Sequence, residues 1–351
     1  MFDIAVDILT DDKFLGALFS ALGFIFLGFI LRYKNIITNE TKKSLTFILL
    51  NVTLPAMAFC AFMTEFNEVQ FKDNIKVFIL SCLFYLLLIF IGRLIYIKHP
   101  KEDRKIYSIF VSVGQITFFT IPILDAVYQS SPSILMPANM MTLSFRIILY
   151  VYCYLVMSKL KFNKENLKVS IKQIVLNPIM ICMMLGLFIW LTQNIMPKVS
   201  VDFCDYSIFR IDQTVPSIYM FIKLCANLTT PLAMITIGCI LGEAKLVEVL
   251  KDKSAWIFAL LKTLVLPLVV LLILTLLQLI KVIDFEEFEM VVLVCGYGAP
   301  LSAVVSTYAA TYKNHDVLAS RVCFLTILAS VITFPLLFIL VKYFVTLPIF
   351  M

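Results

Sequence analysis

Asn51-Val52-Thr53-Leu54-Pro55 and Asn227-Leu228-Thr229-Thr230-Pro231 spell one pattern, Asn-x-Thr-x-Pro, at two places half a chain apart. Pro55 and Pro231 are separated by 176 residues, and a second pair, Pro122 and Pro300, by 178. The chain has 351 residues, so both offsets are close to half its length. All four prolines lie in stretches apolar enough to cross a membrane. Two halves that repeat, with prolines inside the spans of each, point to a secondary transporter.

Composition agrees. Hydrophobic residues make up 61% and charged residues 15% of the chain, and mean hydropathy is +0.98. A soluble domain has about 45–50% apolar and about 25% charged residues, so the class is a polytopic membrane protein. No polar segment is long enough for a separate soluble domain. The N-terminus carries Asp3, Asp7, Asp11 and Asp12 rather than the basic start of a signal peptide, so the first span is expected to be retained. The nine cysteines are scattered singly and read as small packing residues. No His-based metal motif, Gly-x-Ser-x-Gly or acid pair lies in the spans, so neither an enzyme nor a cofactor or metal is expected.

A helix needs about 20 apolar residues to cross the hydrocarbon. The sequence predicts ten such spans, near 14–31, 45–64, 76–97, 106–128, 134–157, 174–193, 217–241, 255–280, 289–312 and 320–341. One set of loops is basic: Arg32, Lys34, Lys42 and Lys43, then Arg93 to Lys105, Lys159 to Lys172, Lys245 to Lys253, and Lys313 with Arg321. The alternate set is diluted by acids such as Glu65, Asp202, Glu286, Glu287 and Glu289. The basic set faces the cytoplasm, which puts both termini on the opposite side. The net charge of +6 reflects this topology and the anionic inner leaflet, not nucleic acid.

Five spans per half is an odd number, so the second half enters the membrane in the opposite sense. The organisation predicted is a first five-helix repeat over 1–160, a cytoplasmic linker over 161–173 and an inverted second repeat over 174–351. The Asn-x-Thr-x-Pro pattern falls on the second span of each repeat. Pro122 and Pro300 fall on the fourth, spans four and nine of the chain.

Around Pro122 the chain reads Gly114-Gln115-Ile116-Thr117-Phe118-Phe119-Thr120-Ile121-Pro122, and around Pro300 it reads Gly296-Tyr297-Gly298-Ala299-Pro300-Leu301-Ser302. Proline removes a backbone donor and clashes with the preceding turn. Broken backbone at membrane depth persists only where protein or a wet cavity satisfies it. Two broken helices meeting at mid-membrane would turn N–H groups and positive dipole ends toward a ligand. The binding site expected from this comprises Gln115, Thr117, Thr120, Pro122, Gly298 and Pro300.

Charges inside the spans set the sign of the ligand. Arg146 and Lys262 are intramembrane cations that either offset a substrate carboxylate or serve structure. For Arg146 the structural role is a pair with Asp125 or bonds to carbonyls of the broken helices. For Lys262, as for Lys223, it is snorkelling to the interface. Asp125, the one acid placed inside a span, is the candidate coupling residue. Asn51, Thr53, Asn227 and Thr229 either line the substrate path or cap and cross-link the helices. His99 and His315 read as solvated loop residues.

With these residues in place, the chain resembles the auxin efflux carrier family of membrane permeases in its short bacterial form. Leu50 to Ala56 is similar to the family's leucine-proline-alanine region, and Asn177-Pro178 to Gly186 to its sixth span. Pro231-Leu232-Ala233-Met234 to Gly242 resembles the seventh, Lys262 with Pro267 the eighth, and Ala299-Pro300 with Tyr312 and Ala319-Ser320 the ninth and its following loop. The fourth span departs: Gln115 stands at the family's Asn, and Thr117 and Thr120 replace its glycines. The long central loop of plant members is absent.

The resemblance implies an all-α fold of ten transmembrane helices in two inverted five-helix repeats, with broken helices 4 and 9 crossing as in sodium/proton-antiporter and bile-acid-symporter folds. It implies a permease of the cell membrane that moves small organic anions, auxin-like or malate- and malonate-like. An elevator motion of spans 3–5 and 8–10 against a homodimeric scaffold, with proton or sodium coupling, is implied with it. The other readings are a cation/proton antiporter on the same fold and, after it, a passive channel.

Overall fold

The computed structural model describes residues 12–128, 131–159, 164–201, 204–243 and 249–347. Asp3, Asp7, Asp11 and Asp202 lie outside the described residues, as do Lys161 and Lys245. The chain runs α1 (Asp12–Tyr33), α2 (Asn39–Cys60), α3 (Glu68–Ile95), α4 (Lys101–Ser112), α5 (Ile116–Tyr128), α6 (Ser133–Met157) and α7 (Lys164–Val175). It continues through α8 (Pro178–Thr192), a hairpin of β1 (Lys198–Val201) and β2 (Cys204–Ser207), α9 (Ile211–Thr214), α10 (Pro216–Gly242) and α11 (Lys253–Leu279). It ends with α12 (Glu287–Tyr297), α13 (Ala303–Thr311) and α14 (Asp316–Val345).

Among the described residues six helices, α2, α3, α6, α10, α11 and α14, are long and apolar enough to span a membrane. The end of α1 (Leu22–Tyr33), α5 and α8 are shorter apolar helices. Large apolar side chains cover the outside: Phe19, Phe26, Phe47, Phe90, Ile332 and others stand well exposed. A soluble monomer does not carry so wide an apolar surface, whereas lipid accommodates it.

Among the described residues four helices contain a π-turn, at Leu49–Thr53, Ile116–Thr120, Ile148–Cys153 and Leu261–Val265. Three of these end two residues before a proline: Pro55, Pro122 and Pro267. In each, the N–H just ahead of the proline reaches back five residues, from Leu54 to Leu49 O, Ile121 to Ile116 O and Leu266 to Leu261 O. The wider turn relieves the clash between the proline ring and the carbonyl four residues earlier. Asn51, Thr117, Thr120 and Lys262 all sit on these three turns.

Glycine sets the closest helix contacts. A Cβ on Gly28 of α1 would fall 2.2 Å from Ile235 O of α10, and one on Gly238 would fall 2.0 Å from Ile25 O. Small residues let transmembrane backbones approach this closely. The Leu54–Cys60 end of α2 packs on α8 and on the first half of α10, with Gly186 under Phe59 O. On the other flank α3 packs on α4 and α6, and α14 on α11 and α12.

Several local expectations are revised. The gap near 194–216 holds a hairpin paired from Lys198↔Ser207 to Val201↔Cys204. It is followed by a buried Arg210–Asp212 ion pair at 2.7 Å that also ties to Gln193. Part of the segment read as a linker is helical, as α7. His99 is an exposed loop residue as expected, with its ring edge-on to Tyr107, whereas His315 is half-buried, packs edge-on against the same Tyr107, and has its Nε2 3.1 Å from Asp103 Oδ1. His315 holds φ 56° where the chain turns into α14. Contacts with Tyr107 and Asp103, which periodicity does not reveal, draw the His315 ring in.

Candidate functional site

The sequence reading near 106–128 and 289–312 placed one span each; the chain forms two interrupted helices there. α4 stops at Ser112 and α5 begins at Ile116; α12 stops at Tyr297 and α13 begins at Ala303. The two breaks pair with each other. Gly114 and Leu301 form an antiparallel bridge, Gln115 N donates to Pro300 O at 2.6 Å, and Ser302 N donates to Val113 O at 3.3 Å. The backbone groups that proline and glycine free from the helices are thus satisfied by the opposite break, as a low-dielectric interior demands.

Side chains complete the junction. Gln115 Oε1 accepts from Ala303 N at 2.5 Å and so caps the start of α13 from the other break. Thr326 of α14 accepts from Leu301 N at 2.9 Å. Lys262 is fully buried, and its Nζ donates to Ser112 O at 3.1 Å and Tyr297 O at 2.8 Å. One ammonium therefore sits at the C-terminal ends of both α4 and α12, where partial negative charge accumulates. Gly114 leaves room for it: a Cβ there would lie 3.2 Å from the ammonium. Lys262 does not snorkel.

Beside the junction lies a cavity of about 160 Å³. Its polar wall is Asn51, Gln115, Thr117, Arg146, Asn177 and Ser302, and its apolar wall includes Leu50, Phe118, Phe145 and Leu149. Arg146 is 3% exposed and, among the described residues, is the one charged member of that lining. Thr117 is buried there, with a hydroxyl that has no hydrogen-bond partner among the described residues.

Four of the residues selected from sequence therefore meet in this cavity: Asn51, Gln115, Thr117 and Arg146. The others lie elsewhere. Pro300 and Gly298 shape the break behind it, and a Cβ on Gly298 would strike Leu337 at 2.5 Å. Thr120 is buried one turn beyond Thr117. The Pro122 carbonyl and Asp125 Oδ2 accept from Thr230 at 3.4 and 3.2 Å, linking α5 to α10. Asn227 is exposed at the end of the Pro216–Asn227 helical segment, and Lys223 is exposed as well.

The two copies of Asn-x-Thr-x-Pro thus serve different ends. Asn51 lines the cavity, whereas in the second copy Thr230, a spacer position of the pattern, makes the tertiary contact. Asn177 and Ser302 were missed. Asn177 caps α8 by accepting from Ile179 N at 3.1 Å, and its Asn-Pro signature marks a helix start. That signal locates the cap without revealing that the cap faces a cavity.

Residues 14–338 match the family described as membrane transport protein. No curated protein matches the chain.

Proposed function

We propose that this chain, which belongs to the membrane transport protein family of the auxin efflux carriers, is a secondary carrier of small organic anions. The observation that carries the proposal is Arg146 in the wall of a small cavity beside two paired helix breaks. A guanidinium is permanently charged and forks onto carboxylates. Around it Asn51, Gln115, Asn177, Thr117 and Ser302 offer amide and hydroxyl groups. An apolar cavity of about 150 Å³ holds benzene, so this one suits an acid of about six to nine heavy atoms. Auxin-like acids exceed that range, and malate- or malonate-like acids lie within it.

The neighbour pattern supports two inverted five-helix repeats. α1 against the Thr229–Glu243 segment of α10, and α8 against α2, are the same contact under an exchange of halves. So are α3 on α6 and α11 on α14. With the positive loops inside, the positions of Asn177, Leu149 and Val304 support a cavity nearer the cytoplasmic side. We assign this as the inward-facing end of an alternating-access cycle. The group α3–α6 with α11–α14 would move as an elevator against a homodimeric scaffold of α1, α2, α8 and α10 in the cell membrane. A cation/proton antiporter would need an acid in the cavity, and its described lining has none.

The test is uptake into proteoliposomes of labelled mono- and dicarboxylates, with and without pH and voltage gradients. Saturable uptake with trans-stimulation is expected. Cation flux with no carboxylate flux would replace the anion reading with the antiporter, and flux without trans-stimulation would make it a channel.

A further inference from the structure

A second cavity, of about 70 Å³, lies at the opposite end of α6, between α3 and the start of α12. Asp73 and Asn74 of α3, Ser133 and Met136 of α6, and Glu286 and Glu289 at the start of α12 line it. The sequence reading put Glu289 in an outer loop. Instead it is 2% exposed, in the first turn of α12, because its side chain closes a capping box with Glu286 and folds inward. Its Oε2 accepts from Lys76 Nζ at 2.7 Å and from Glu286 N at 2.9 Å. Its Oε1 is buried and has no hydrogen-bond partner among the described residues.

A buried carboxylate oxygen without a donor is unfavourable unless something occupies it. We propose that Glu289 Oε1 is a proton-binding site, and that the proton it takes up from the outer side is the coupling ion of transport. This rests on the carrier reading above. The cavity has room for about two waters, which deliver the proton. On protonation an O–H bond forms at Oε1, Glu289 becomes neutral, and its ion pair with Lys76 is lost.

The surrounding charges set the balance. Lys76 also pairs with Asp73 at 3.3 Å and donates to Asp284 O at 2.7 Å, so it keeps partners when Glu289 is neutral. Glu286 lines the cavity, and Glu287 faces away to Lys342 of α14. A metal ion fits less well. It needs several oxygens at once, and among the described residues no three carboxyl, imidazole or thiol groups converge as ligands. Lys76 already holds the cation position. Glu289 and Lys262 bind opposite ends of α12, which connects the proton site to the helix break by one rigid element.

Infrared difference spectra of the purified, reconstituted protein between acid and neutral pH test the site without any substrate. A buried carboxylic-acid band that titrates in wild type and in Glu286→Gln, and vanishes in Glu289→Gln, is expected. Persistence of that band in Glu289→Gln overturns the assignment. Carboxylate flux then tests coupling. A gradient of one pH unit corresponds to about tenfold accumulation for one proton. Glu289→Gln should transport without that dependence, and an unchanged pH dependence overturns the coupling role. If wild type carries no carboxylate, the anion reading fails, while the infrared titration still decides the proton site.

Discussion

The Lys262 ammonium donates to the carbonyl of Tyr297 at 2.8 Å, and the same nitrogen reaches Ser112 O. Two helices that end in mid-chain, from opposite halves of the sequence, thus share one cation. Lys262→Met would leave both carbonyls without that donor, at about 1–3 kcal/mol for each buried group left unpaired. A lowered melting point in detergent and loss of flux are expected. Wild-type thermal stability in a Lys262→Met protein would show that the bond does not hold the junction.

Arg146 makes the charge argument specific. Arg146→Gln should fold and lose anion uptake by about tenfold to a hundredfold, and Arg146→Lys should recover part of it because charge returns without the fork. Unchanged uptake in a folded Arg146→Gln protein removes Arg146 from the site.

The glycines separate close packing from open helix surface. Gly238→Ala places a methyl 2.0 Å from Ile25 O, and overpacking of this kind destabilises by about 1–3 kcal/mol or more. A methyl on Gly23 would meet nothing within 4 Å, so Gly23→Ala should be neutral or stabilising. Thermal denaturation of the two variants side by side checks the pair; equal effects would contradict the α1–α10 contact.

Asp252 sits outside the spans, ahead of α11. The Arg321 guanidinium 2.8 Å away, with the Ala255 amide, holds its carboxyl below the usual range. A depressed folded value means the stabilisation is present above the unfolded pKa, about 4, and is lost as pH falls through the folded one. The stability gap between wild type and Asp252→Asn should therefore be widest near neutral pH and close in acid. A gap that grows in acid would reverse the assignment.

The repeated Asn-x-Thr-x-Pro pattern and the composition were enough to identify a membrane transporter, because apolar length and proline placement are local properties. The breaks at Pro122 and Pro300 were legible for the same reason. The roles of the polar residues were not. Lys262 read as a snorkelling or substrate-facing cation and instead joins two helix ends, since only the pairing of α4 and α12 brings Ser112 and Tyr297 to one point. Asn227 read like Asn51, yet the second helix carrying the pattern turns that side chain out of the cavity.

By itself the sequence determined that the chain enters lipid, where its helices must break and which cations lie within them. Hydrophobic length, missing backbone donors and charge are written residue by residue. The tertiary structure alone decided that Gln115 caps α13, that Asn177 and Ser302 join Arg146, and that Glu289 turns inward to Lys76. The Gln115–Ala303 bond spans 188 positions of sequence, and the Lys76–Glu289 pair still more. They exist only because close packing of helices in a low-dielectric interior leaves a polar group few places to find its partner.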